Sequence, residues 1–139
     1  MRAILAVMPI AVLAACNSGP ADTADAYGPA KAREGAAIRA EVREVYGILN
    51  PVCGYTEDPD QLARYEAQRA RYAQIKASVA DSPRAVDFAS VEADHDHYWA
   101  GVPVECGETD TPETLERLDA DLADAQARLD RLARLTGAA

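Results

Sequence analysis

The sequence predicts an all-α protein, a four-helix up-down bundle built from two similar helical hairpins and stapled by one disulfide. Three observations predict it. Four segments open on a proline that follows a residue suited to helix capping, a stretch of the chain repeats at a fixed offset, and two cysteines occupy corresponding places in the two copies. No alternating strand pattern competes with the helical one.

The repeat aligns the stretch from Tyr46 with that from Tyr98. Each copy reads Tyr, four residues, then Pro-Val, and one extra residue, Glu105, precedes Cys-Gly in the second copy. From the cysteine onward the offset is constant, pairing Cys53 with Cys106, Gly54 with Gly107, Pro59 with Pro112, Leu62 with Leu115 and Arg64 with Arg117. Acidic positions also match, as in Glu57 and Asp110, or Glu66 and Asp119. Repetition of both the turn residues and the helix start points to a duplicated hairpin.

The first helix, 29 to 49, opens on Pro29 and places Ile38, Val42, Val45 or Tyr46, and Leu49 on one face. The second, 59 to 80, opens on Pro59 after Asp58, which with Gln61 approximates a capping box. It offers Leu62, Tyr65, Tyr72, Ile75 and Val79, with Arg69 at a boundary where its stem can lie along apolar surface. The third, 83 to 100, opens on Pro83 after Ser82 and splits its apolar residues into Val86 with Ala89, and Phe88, Val91 with Tyr98. The fourth, 112 to 136, follows Thr111. Its Leu115, Leu118, Leu122, Ala125, Leu129 and Leu132 form a heptad seam that Leu135 extends to a stop at Gly137. The hairpins therefore run about 29–80 and 83–136 within a domain at 29–139. In such a bundle the two odd-numbered loops share one end, so Cys53 and Cys106 can bond there and close a long loop, stabilising by about 4 kcal/mol.

Ahead of the bundle, Arg2 precedes an uncharged apolar run from Ala3 to Ala15, too short for a permanent span and suited to a signal peptide. The run ends in Leu13-Ala14-Ala15-Cys16, which resembles the lipobox of bacterial lipoproteins. The resemblance implies cleavage of residues 1–15 and lipidation of Cys16 with palmitate-class chains. Because Asn17 is not Asp, it also implies an outer-membrane address facing the periplasm. Two or more acyl chains anchor a protein stably without a transmembrane helix. Residues 16–28, rich in Gly, Pro, Ala and Asp, read as a flexible tether reaching about 40 Å. Use of Cys16 for lipid leaves Cys53 and Cys106 as an even pair in an oxidising compartment.

With 14 Lys and Arg against 23 Asp and Glu, the net charge is −9 and the pI about 4.6. Nucleic-acid binding is disfavoured by that balance. Between Arg84 and Arg117 there is no Lys or Arg, while nine acids, both histidines and the only tryptophan fall there. Glu92, Asp94, Asp96, Glu105, Glu108 and Asp110, with Tyr98 and Trp99 as aromatic anchors, form a candidate docking surface for a basic envelope protein. Glu92 and His95 have the spacing of a helical metal-ligand pair, yet their counterparts in the first copy are Ala40 and Arg43, so metal binding is a minor expectation. No phosphate loop, nucleophile elbow or other catalytic constellation is present in the sequence, and neither an enzyme nor a cofactor is expected. A lipid-anchored helical domain with a disulfide, and Trp99 shortly before Cys106, is similar to the lysozyme-inhibitor lipoprotein family. That similarity implies binding of a basic cell-wall hydrolase. The leading expectation is a non-enzymatic interaction or structural module of the envelope, with hydrolase inhibition as the alternative and divalent-cation binding behind it. The leucine seam of the fourth helix also allows homo-oligomerisation.

Overall fold

The computed structural model describes residues 28–108 and 110–138. The signal peptide, Cys16 and the tether read from the sequence lie outside the described residues. Four helices, α1 (Gly28–Leu49), α2 (Pro59–Ser78), α3 (Ala85–Ala100) and α4 (Pro112–Thr136), make up the fold, and the described residues contain no strand. Cys53 and Cys106 are bonded, with 5.3 Å between their Cα atoms. The up-down bundle of two stapled hairpins expected from the sequence is thus the observed architecture.

Local chemistry sets the helix ends. The Asp58 carboxylate accepts from the Gln61 backbone N–H at 2.9 Å, and the Thr111 hydroxyl accepts from that of Thr114. Gly137, at φ 72°, closes α4 in the left-handed conformation that glycine adopts without steric cost. Two starts differ from expectation. α3 begins at Ala85 because Pro83 sits in a tight turn: Ala85, Val86 and Asp87 donate to carbonyls three residues back, and Ser82 Oγ accepts from Arg84 N–H. The capping box of α2 is only half formed, since the Gln61 side chain turns away to donate to the Leu115 carbonyl at 2.9 Å.

Packing is dominated by contacts between the hairpins. α1 lies against α4 and α3, and α2 lies along α4, whereas α1 and α2 approach each other closely at few points. Hydrogen bonds from the first hairpin's loop and α2 to the second's loop and α4, namely Thr56 to Asp110, Gln61 to Leu115, Arg64 to Asp119 and Gln68 to Leu122, span 54, 54, 55 and 54 residues. Between α1 and α3, Arg84 to Glu34, Arg39 to Asp87 and Tyr46 to Asp96 span 50, 48 and 50. Such constant separations mean that equivalent helices run side by side in the same direction. The packing is not twofold symmetric, because α1 lies along α4 while their counterparts α3 and α2 approach each other far less closely, meeting through side chains such as Tyr72 and Phe88.

The core is drawn from all four helices. Ile38, Val42 and Val45 of α1, Phe88 of α3 and Leu122, Leu129 and Leu132 of α4 are fully buried, with Leu49, Tyr65, Tyr72, Ile75 and Val91 close behind. The leucine seam is therefore used inside the chain, but only from Leu122 onward; Leu115 and Leu118 are half-buried at the stapled end. On α3, Val86 (65 % exposed) and Tyr98 (62 %) lie outside the core, and Leu62 packs only at its margin. Four polar residues, Thr56, Gln61, Gln68 and Asp87, are buried as well. Gln61 and Gln68 donate into α4, and Asp87 is held by Arg39 at 2.5 Å and by Arg84 at 3.4 Å. Gly35 makes room for that ion pair: a Cβ there would lie 2.8 Å from Arg84 Nη1 and 3.2 Å from an Asp87 oxygen.

Candidate functional site

At the stapled end the two loops do not close completely over the helices. They leave a cleft of about 650 Å3 between the end of α1, the last turns of α3, both loops and the first turns of α4. Ile48, Pro51, Val52, Val104 and Leu118 supply apolar surface, Trp99, His95 and Tyr55 supply rings, and Glu108, Arg117 and Asp121 supply charge. Val52 is 45 % exposed and Val104 38 %, so the duplicated Pro-Val turns present apolar side chains to solvent on both sides of the disulfide. A cleft of this volume lies within the range of pockets that hold organic groups, about 300–1,000 Å3. α1 rises about 33 Å from Gly28 to Leu49, so the chain ahead of Gly28 joins the bundle at the end opposite the cleft.

The rings of the wall are held in place. Tyr55 stacks on Tyr65 with centroids 3.8 Å apart and an interplanar angle of 23°, and Tyr65 donates to the Leu49 carbonyl at 2.5 Å. Arg69 lies over the opposite region of the Tyr65 ring, 5.6 Å from its centroid, the boundary role its position implies. His95 meets Tyr46 edge-on at 5.0 Å and approaches Trp99 at 6.4 Å, and its Nδ1 is 3.2 Å from an Asp96 oxygen. Burial is the main cause that raises the Tyr55 phenol to about 12, followed by Tyr65 and Asp121. The Tyr55 hydroxyl is buried and has no hydrogen-bond partner among the described residues.

The residues singled out from the sequence divide into three groups. Trp99 and Glu108 line the cleft, as does Cys53 of the disulfide. Asp94, Asp96, Tyr98 and Glu105 are exposed outside its lining, although Asp96 accepts a hydrogen bond from Tyr46. Glu92 and Asp110 are engaged within the fold. Glu92 accepts from the Tyr72 hydroxyl at 2.7 Å and pairs with Lys76 at 2.5 Å, while Asp110 accepts from Thr56 and from the Glu57 backbone, tying the two loops together. The acidic stretch is thus partly neutralised where it faces neighbouring helices and exposed near the cleft. As to metal, the contacts of Glu92 with Lys76 and of His95 with Asp96 form no ligand cage, and no group of three potential ligands capable of holding an ion occurs among the described residues.

Sequence reasoning missed Tyr55, Leu118 and Asp121 as cleft residues. The repeat register held a usable signal, because Tyr55 and Tyr65 have Glu108 and Leu118 as counterparts at the same offset. No described helix is long and apolar enough to cross a membrane. Compared with protein families, curated proteins and solved structures, the chain finds no match.

Proposed function

We propose that this chain is a lipid-anchored protein of the bacterial outer membrane, facing the periplasm, that acts as a non-enzymatic interaction module. It engages a protein partner through the cleft at its stapled end. The observation that carries this reading is the position of the cleft: it is built jointly by both hairpins, opens beside exposed Val52 and Val104, and lies at the end remote from Gly28. Anchoring through Cys16 supports the same orientation, since it would leave the stapled end projecting away from the membrane.

In-cell photocrosslinking tests it. A photoreactive residue at Val52 should capture a discrete envelope protein, whereas one at Val86, which is more exposed but lies at the start of α3 away from the cleft, should not. Equal capture from both positions, or none from Val52, overturns the docking reading. The anchor is tested separately, by incorporation of labelled palmitate that is lost in Cys16→Ser.

A second reading, inhibition of a basic cell-wall hydrolase, is favoured by Glu108 in the cleft wall and by exposed Asp94 and Asp96 nearby. It expects salt-sensitive binding to lysozyme that weakens when those three residues become Asn or Gln. Absence of binding at low salt removes it.

A further inference from the structure

The cleft is the place where the two copies of the repeat differ most in their side chains. In the first hairpin, Tyr55 from the loop lies flat on Tyr65 of α2, and Tyr65 is almost fully buried. The constant offset places Glu108 where Tyr55 stands and Leu118 where Tyr65 stands. The second hairpin therefore offers a carboxylate and a smaller aliphatic side chain in place of two stacked rings, and both of them line the cleft.

Two further properties define what fits there. Trp99, His95 and Tyr55 present ring surface to the cleft, and aromatic pairs gain from offset or edge contacts at centroid distances of about 4.5–7 Å. The second loop and first turns of α4 carry Glu105, Glu108, Asp110, Glu113 and Glu116 before the first base, Arg117. That local excess of negative charge complements a cationic partner and repels an anionic one.

We propose that the cleft accepts an aromatic side chain from a partner polypeptide segment whose flanking residues are lysine or arginine. The proposal rests on the docking reading above and names the chemistry of its ligand. The ring packs over Leu118 against Trp99, and the flanking cations face the acidic loop.

Trp99 is the sole tryptophan, so its fluorescence reports the cleft directly. The full chain is titrated with the peptide Lys-Lys-Tyr-Lys-Lys, with its Ala-centred analogue and with its Glu-flanked analogue. The tyrosine peptide should give a saturable change that weakens with salt, and each analogue should bind about tenfold more weakly. Glu108→Tyr and Leu118→Tyr, which rebuild the first hairpin's ring pair in the second, should abolish the change while helical circular dichroism is retained. If the Ala-centred peptide binds as well as the tyrosine one, charge alone governs and the proposal is overturned. Unchanged binding by both filled variants overturns it too. Should a filled variant fail to fold, the peptide comparison on the unaltered chain still decides.

A concentration-dependent dimer in sedimentation, lost in Tyr98→Ala and in Glu108→Tyr, would assign the cleft to a second copy instead and overturn the proposal. Failure of every peptide while Val52 still captures its partner rejects the ligand class and leaves the docking reading intact. Failure of both rejects the two together.

Discussion

The loop ends of the two hairpins share a turn, a cap position and a cysteine, yet one is packed and the other open. At the first, Tyr55 and Tyr65 stack, Tyr65 is bonded to Leu49 and Arg69 lies over its ring. At the second, Glu108 and Leu118 stand at the corresponding positions beside a cleft of about 650 Å3. The repeat places the same turn and cap residues in both copies, while the second carries less side-chain volume at these two positions. Stability and binding surface are thereby divided between two copies of one motif: rings that are fixed in the first hairpin contribute to folding, and their absence in the second leaves surface for another molecule.

The broadest disruption removes what both ends share. Cys53→Ser with Cys106→Ser should cost about 4 kcal/mol in denaturant unfolding, because it frees a long loop in the unfolded chain. It should also release both walls of the cleft. A sharper test separates the ends. Tyr65→Ala deletes a buried ring and its hydrogen bond and should cost about 3 kcal/mol. Leu118→Ala, at the half-buried counterpart, should cost about 1 kcal/mol. Equal costs would mean that the second end is packed as tightly as the first.

Titration gives a third discriminant. The Tyr55 phenol is raised to about 12 from an ordinary value near 10, chiefly by burial, and Tyr72 is raised by burial and by its bond to Glu92. A phenol whose proton is held more tightly in the folded state contributes stability that is complete below pH 10 and is lost as pH rises toward 12. Unfolding free energy should therefore be level across neutral pH and fall above about 10. The fall should be shallower in Tyr55→Phe. At neutral pH that same substitution should have the smallest effect and the opposite sign, raising stability by up to about 1 kcal/mol, since the hydroxyl it removes is buried without a partner among the described residues.

Much of the fold was legible because helix signals are local. Proline after a capping residue marked the starts of α2 and α4 to the residue, and the apolar spacing picked out Ile38, Val42, Leu122, Leu129 and Leu132. What the sequence left unmarked arose where packing across hairpins decided the outcome. Gln61 and Gln68 look solvent-facing by residue type, but seven residues apart they meet the Leu115 and Leu122 carbonyls, also seven apart, on the parallel α4. Asp87 is buried because Arg39 and Arg84 reach it over a glycine, a contact fixed by the register of α1 against α3. The cleft was legible least. Trp99 and Glu108 were recognised as residue types, but their association with Tyr55, Leu118 and Asp121 depends on which loop residues turn inward.

The like-with-like register of α2 and α4 bears on how the chain responds to cutting. Backbone continuity between the hairpins runs only through the turn at 79–84, while the disulfide, the core and the hydrogen bonds of equal sequence separation join them everywhere else. A protease that nicks this turn would yield two fragments that migrate together until a reductant is added. Each hairpin carries half of a shared core, so the same register that assembles one chain permits two separately made halves to reconstitute it.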